Sequence, residues 1–300
     1  MAAAPAWDDM KIFLAVAREG SLSGGGAVLK MDPATVGRRV ARLEAALGSK
    51  LFLKSPQGYA MSEAGERMVP HAEELEQAML AAEDAVRGQE DRLGGTIRVG
   101  APDGCANFLL PQVVARICEA HPDLEVQVVS LPRVFNLNRR EADMAVAVSR
   151  PTAARLTVQK IADYHLYLAA SRSHLRHQPV SGLEDLKGRR LVGYVPDMIF
   201  DKELDYLSEL GLERVQLASN SASVQFQWVR QGAGLGVVHG FALGADPRVE
   251  RVLAEDWSLK RTFWLVRHGD DRRVRRHSRF AELLCEGLRG EIERLEGAAA

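Results

Sequence analysis

Thr35, Arg38, Arg39 and Arg42 follow one another at spacings of three, one and three in the stretch 33–47. Guanidinium forks recognise phosphate oxygens and the O6/N7 edge of guanine, and a threonine hydroxyl can both donate and accept. The chemistry on offer is recognition of anions and base edges, with no bond made or broken. Val36, Val40, Leu43 and Leu47 fall at steps of four, three and four, which draws one apolar stripe along a helix and leaves the cationic residues mostly off it. Asp32 is an N-cap, Pro33 suits the first turn, and Gly48 tolerates the positive φ of a helix end. A helix that is apolar on one side and cationic on the other suits the major groove of DNA. The same pattern also describes an ordinary amphipathic helix with a solvated basic face.

The preceding residues decide how such a helix would be held. Residues 8–18 predict a helix with Met10, Phe13, Leu14 and Ala17 on one face, broken at Glu19-Gly20. Ser21 or Ser23 caps a second helix to residue 29, and Lys30-Met31 form the turn into the third. The second helix carries Gly24, Gly25 and Gly26, each costing roughly 1 kcal/mol against alanine. Close approach of two helices at small residues would offset that cost. Two helices joined by a tight turn, the second basic, make a helix-turn-helix. Residues 51–54 read as extended, Ser55-Pro56-Gln57-Gly58 as a turn, and 59–61 as a return strand. This hairpin is a wing whose tip, Lys54 and Gln57, could reach phosphate or the minor groove; a surface turn without function is the alternative.

From Ser62 to about residue 91 a long helix is predicted. Met68, Ala72, Leu75, Met79, Ala82 and Val86 alternate steps of four and three, an a/d seam that predicts pairing with a second copy of the chain. Packing on its own domain is the alternative. Two copies would place two basic helices on neighbouring turns of DNA. Charge follows the same division. Lys30, Arg38, Arg39, Arg42, Lys50 and Lys54 face only Asp32 and Glu44 in residues 30–58, whereas 63–91 is strongly acidic. The chain's net charge of −1 conceals this asymmetry. With 46% apolar and 26% charged residues, the composition is that of a soluble globular protein. The absence of a long apolar run or secretory pattern predicts a cytoplasmic location, and Cys105, Cys118 and Cys285 read as buried free thiols.

After Gly94-Gly95, strands and helices alternate. Strands are predicted at 96–100, 124–129, 144–148, 156–161, 166–170, 191–194, 215–217, 235–238 and 261–266. Helical segments are predicted at 109–120, 182–188, 201–210, 221–231 and 274–295. This is a doubly wound α/β pattern, with a ligand site beyond the C-terminal strand ends. Those ends carry Asp103 and Gly104; Ser130, Pro132 and Arg133; Ser149 and Arg150; Tyr194; Asn220 and Ser221; and His239. Hydroxyls, amides and helix N-termini there suit a small, often anionic molecule, with Arg133, Arg150 and His239 as sources of charge. Gly232-x-Gly234-x-Gly236 precedes a strand instead of opening a helix, so it is no dinucleotide loop. No metal-ligand spacing and no nucleophile–base constellation stands out, so no metal, cofactor or enzymatic activity is expected.

Taken together, these residues resemble a LysR-type transcriptional regulator along essentially the whole chain. The resemblance rests on Phe13-x-x-Val16-Ala17, Gly20-Ser21-Leu22-Ser23, Val36-Gly37-Arg38-Arg39-Val40, Leu43-Glu44-x-x-Leu47-Gly48, Leu51-Phe52-x-Lys54 and Ser62-x-x-Gly65. Leu110-Pro111, 141–146 and Gly232-x-Gly234-Leu-Gly236 add to it more loosely. It implies a winged helix-turn-helix over 1–62, with Pro33, Ala34, Thr35, Arg38, Arg39, Arg42, Lys54 and Gln57 at double-stranded DNA. It further implies a dimerisation helix over 63–93 and an effector domain over 94–300, periplasmic-binding-protein-like, with subdomain I at about 94–162 and 268–300 and subdomain II between. A homodimer or homotetramer on an interrupted inverted repeat, a small-molecule effector, and RNA polymerase for an activator are the implied partners. A solute-binding module without DNA binding is the alternative function. The chain departs from the family in Asp32-Pro33-Ala34-Thr35 and Gly37, where polar base readers are usual, in its three glycines, and in His239-Gly240.

Overall fold

A computed structural model describes residues 5–55, 58–87, 93–130, 142–152, 156–211, 214–269 and 275–298. Contacts divide the chain into two units, Met1–Glu90 and Asp91–Ala300.

In the first unit, α1 (Trp7–Glu19), α2 (Leu22–Leu29) and α3 (Pro33–Leu47) precede the hairpin β1 (Phe52–Ser55) and β2 (Gly58–Met61) and the long α4 (Glu63–Arg87). Phe13, Val16, Val36, Val40, Leu43, Leu51 and Phe52 form one core. The predicted caps are in place. Ser21 accepts from Gly24 N–H at 3.0 Å, Asp32 from Ala34 and Thr35 N–H at 3.0 and 3.2 Å, and Gly48 closes α3 at φ 64°. The glycines of α2 have their reason in close packing: a Cβ on Gly25 would stand 2.9 Å from Val16 Cγ2, and one on Gly26 2.6 Å from the Met31 carbonyl oxygen.

Ser62 starts α4, accepting from Gly65 N–H at 3.0 Å and donating to the Lys50 carbonyl at 2.6 Å. A Cβ on Gly65 would overlap the Leu51 carbonyl oxygen. We expect Gly65→Ala to cost about 2 kcal/mol through overpacking, read as a lower urea midpoint of the full chain. The predicted seam of α4 divides in two. Ala72 is buried in the head's core and Met68 packs against it, so these two serve their own unit. Leu75, Met79, Ala82 and Val86 are exposed.

Among its described residues the second unit holds one mixed sheet of nine strands: β3 (Gly95–Ala101), β4 (Leu124–Ser130), β5 (Met144–Ala147), β6 (Leu156–Ser171), β7 (Leu191–Gly193), β8 (Leu217–Ala218), β9 (Leu235–His239), β10 (Val249–Arg251) and β11 (Leu259–His268). Their order is β4-β3-β5-β11-β6-β9-β7-β8, with β10 against β6. Parallel pairs at each end flank the long antiparallel pair β6/β11. That pair therefore runs through both lobes: lobe I around β3–β5 and lobe II around β7–β10.

The remaining helices are α5 (Asp103–Phe108), α6 (Leu110–Ala120), α7 (Arg172–His177), α8 (Ala222–Arg230), α9 (Gly240–Leu243) and α10 (Arg275–Ala298). Helix α10 binds both lobes: Gly287 lies against Val113 of α6, and Glu296 accepts from His165 N–H of β6 at 2.7 Å.

Two expectations are corrected. The strands predicted at 156–161 and 166–170 are one 16-residue strand, because Asp163, which looks like a break, is paired with Lys160 at 2.7 Å, Lys260 at 2.8 Å and the Thr262 hydroxyl. The helix predicted at 201–210 is two 3₁₀ turns, Lys202–Leu204 and Ser208–Leu210, since Asp201 and Asp205 bind the backbone N–H groups of Glu203 and Ser208.

Candidate DNA interface and effector cleft

On α3 the exposed residues are Pro33, Ala34, Arg38, Ala41, Arg42, Ala45 and, at its end, Leu47 of the predicted apolar stripe, with Thr35 half-buried beside them. Ala34, Arg38, Ala41 and Ala45 recur at helical spacing, so this stripe carries small residues around the Arg38 guanidinium, with Arg42 at its edge one turn on. The Thr35 hydroxyl accepts from Arg38 Nη2 at 3.0 Å, which aims that guanidinium along the N-terminal half of the helix. Gly37 lies on the packing side, where a Cβ would stand 3.2 Å from Leu22 Cδ1.

The other two arginines do different work. Asp9, 2% exposed in the first turn of α1, accepts from Arg39 Nε and from Arg42 Nε and Nη2 at 2.6 Å. Burial pushes the Asp9 carboxyl up, and the Arg42 and Arg39 guanidiniums overcome this and hold it below the ordinary value. The pair ties α1 to α3, so Arg39 and Arg42 are first structural cations, which periodicity along α3 could not reveal. Glu44 plays a like part: buried, it accepts from Leu51 and Phe52 N–H at 2.9 and 3.2 Å and from Lys50 Nζ at 2.6 Å, fixing the start of the hairpin. In the hairpin Lys54 pairs with Tyr59. Gln57 lies outside the described residues.

In the second unit the strand ends meet between the lobes. Asp103, at the start of α5, accepts at Oδ2 from the Ser221 hydroxyl at 3.0 Å and from Ser223 N–H at 2.9 Å. Its other oxygen accepts from Asn107 at 3.2 Å. Since Ser221 caps α8, a lobe I carboxylate sits on the N-terminus of a lobe II helix. Ser149, after β5, donates its hydroxyl to Asp201 of lobe II, a second bridge.

Beneath these bridges His239 is buried and stacked between Phe241, 4.8 Å between ring centroids, and Tyr164, 5.7 Å. Gly104 must lack a side chain, because its Cβ would stand 2.8 Å from His239 Cε1. Burial lowers the His239 pKa to about 4, against the opposing pull of Asp103, so the ring is neutral at pH 7. Burial also raises the Tyr194 hydroxyl, and the Asp103 charge adds to this.

Of the strand-end residues singled out in the sequence, Asp103, Gly104, Tyr194, Ser221 and His239 lie together and Ser149 is tied to Asp201, with Asn220 in the loop of Ser221 and Ser130 exposed at the end of β4. Arg150 is drawn elsewhere: its guanidinium lies over the Trp264 ring at 5.6 Å. Pro132 and Arg133 lie outside the described residues. Sequence reasoning missed Tyr164, Tyr206, Ser223 and Asp201, which become site residues only through the sheet's crossover and the folding of the segment after β7.

We expect Asp103→Ala to lower the unfolding free energy of this unit by about 2 kcal/mol, because the Ser221 and Ser223 donors lose a charged partner, while Asp103→Asn keeps most of it. Denaturation of both variants checks this.

Two family profiles match the chain: "Bacterial regulatory helix-turn-helix protein, lysR family" over residues 7–66 and "LysR substrate binding domain" over 90–289. The chain belongs to the LysR family of transcriptional regulators. Among relatives of this LysR-type regulator, the mau operon transcriptional activator of Paracoccus denitrificans is 25% identical over 291 residues, covering 95% of this chain and 99% of that protein. The activator TtdR of Escherichia coli is 24% identical over 243 residues, covering 77% and 76%. Two solved structures share the fold. A mutant OxyR of Corynebacterium glutamicum has a TM-score of 0.69 at 18% identity, covering 99% of this chain and 96% of its own. CrgA of Neisseria meningitidis has 0.57 at 22%, covering 94% and 98%.

As a LysR-type regulator the chain combines a DNA-binding winged helix-turn-helix with an effector-binding domain, and it acts as a regulator of transcription and not as an enzyme. Cys105 and Cys285 are buried and Cys118, read as buried from the sequence, is half-buried; desolvation raises all three thiols, which disfavours thiolate chemistry in this member. Among the described residues, no helix is long and apolar enough to cross a membrane.

Proposed function

We propose that this regulator reads an interrupted inverted repeat in double-stranded DNA through the N-terminal half of α3, with Arg38 as the principal base reader, Thr35 orienting it, and Pro33 and Ala34 allowing close approach. The observation that carries this reading is the Thr35–Arg38 hydrogen bond on an otherwise small-residue face, beside two arginines already engaged by Asp9. Arg39 and Arg42, both partly exposed, add positive potential and phosphate contact, as does Lys54 of the wing, and Gln57 adds a neutral hydrogen-bond donor there.

The exposed residues of α4, namely Leu75, Met79, Ala82 and Val86, pair with a second copy to set the half-site spacing, as a dimer or a tetramer in the cytoplasm. The effector binds between the lobes around Asp103, Ser221, Tyr194 and His239 and shifts the balance of interlobe arrangements. An activating role would add RNA polymerase as a partner.

Electrophoretic shift of the full chain on the DNA upstream of its own coding region tests the proposal. Specific binding whose affinity falls steeply with salt is the expected result. Equal affinity for random DNA of the same length would count against sequence reading.

A further inference from the structure

Asp103 stands in the interlobe site as a bound carboxylate would. The Ser221 hydroxyl and the N–H groups of Ser223 and Val224 are donors that suit an anion at the N-terminus of α8. All of them are taken. Asp103 Oδ2 accepts from the Ser221 hydroxyl at 3.0 Å and from Ser223 N–H at 2.9 Å, and Ser221 Oγ accepts from Val224 N–H at 3.3 Å. Asn107, one turn along α5, donates to the other carboxylate oxygen at 3.2 Å, so the side chain is held from its own lobe. The backbone is held as well, because Gly104 packs directly on the His239 ring.

The surroundings work in the same direction. The second interlobe bridge also uses a carboxylate, Asp201, which accepts from Ser149. Among the described residues, the cations expected from these loops do not offset the two charges. Arg150 lies over Trp264 of β11, and burial keeps His239 neutral at pH 7. An anion entering beside Asp103 would find the donors engaged and like charge facing it.

We propose that Asp103 is a resident substitute for an anionic effector: it reserves the α8 N-terminus and restricts the interlobe site to effectors that present no carboxylate or phosphate there. This rests on the effector role assigned above to the cleft. The substitute comes from lobe I and its donors from lobe II. It therefore supplies, without effector, the interlobe contact that a bound anion would make.

Thermal denaturation of the full chain at pH 7 in sodium formate, against sodium chloride of equal ionic strength, tests the assignment. Formate has the size and charge of the group that Asp103→Ala removes. The wild type should melt at the same temperature in both salts. Asp103→Ala should gain a saturable shift of roughly 2–4 °C at about five times the formate Kd. Asp103→Asn, which fills the place without charge, should show no such gain. Asp103→Ser takes the place of the alanine variant if that one does not fold. A saturable formate shift in the wild type, no shift in the opened variant, or a shift in Asp103→Asn as large as in Asp103→Ala would overturn the proposal. Operator binding in the same two salts reports separately on the effector reading. A formate shift in the melting of Asp103→Ala with an unchanged operator complex supports the role of Asp103 and counts against control of DNA binding from the cleft.

Discussion

Acidification from pH 6.5 to about 4 is expected to remove roughly 3 kcal/mol from the stability of the C-terminal unit through His239 alone. The ring is buried among Tyr164, Phe241 and Tyr206, and desolvation holds its folded-state pKa at about 4 against an ordinary 6.5. Below pH 6.5 the unfolded chain takes up a proton that the folded chain refuses. Stability therefore falls as pH drops through this window and levels off below the folded value. Three of the four tryptophans, Trp228, Trp257 and Trp264, lie in this unit, so fluorescence-detected denaturation from pH 7 to 4 reports on it. His239→Phe keeps an aromatic ring and removes the titration. Its stability, taken relative to its own value at pH 7, should fall less than that of the wild type; parallel curves would show that another group is responsible.

The second large effect is in the head. Asp9→Ala should cost about 3 kcal/mol, because it strands Arg39 and Arg42 beside a buried position; the value is at the low end for a broken buried pair since Arg42 reaches solvent. The pH dependence has a different window from that of His239. The Asp9 carboxyl is held below its ordinary value, so its contribution is fully present above the unfolded carboxylate pKa of about 3.9 and is lost as pH falls through the lower folded value. Between pH 6.5 and 4 the C-terminal unit weakens while the Asp9 pairing in the head persists. Urea denaturation of wild type and Asp9→Ala at pH 7, followed by helical circular dichroism, checks the magnitude.

Much of the head was legible because its signals are local. Ser21, Asp32, Pro33 and Gly48 act within a turn of where they stand, and the glycines of α2 announced a close helix approach that Val16 and Met31 confirm. The roles of Arg39 and Arg42 were not legible. Their partner lies some 30 residues earlier, and a basic helix face looks the same whether its charges meet DNA or a buried carboxylate. The seam of α4 misled in the same manner, since Ala72 fits a heptad and a domain core equally well.

In the C-terminal unit most strands and their loop ends followed from pattern. The segment 201–210 did not, because its leucines carry helical spacing while Asp201 and Asp205 capture the backbone N–H groups. Tyr164 and Tyr206 joined the site only when β6 proved continuous and that segment folded over β7. The Asp103 carboxylate on α8 was located by its loop, but its occupation of the helix N-terminus, where an anionic effector was anticipated, is a tertiary fact.

The central claim is that α3 divides its arginines between reading and structure, with Arg38 reading. Comparing Arg38→Ala with Arg39→Ala on the chain's own upstream DNA and on random DNA, with melting of each variant, tests this most directly. Arg38→Ala should lose about 1–3 kcal/mol on the specific site, little on random DNA, and nothing in melting. Arg39→Ala should lower the melting of the head and keep the ratio of specific to random affinity. An Arg38→Ala protein that binds its site as tightly as the wild type, or loses equally on both DNAs, would contradict the account.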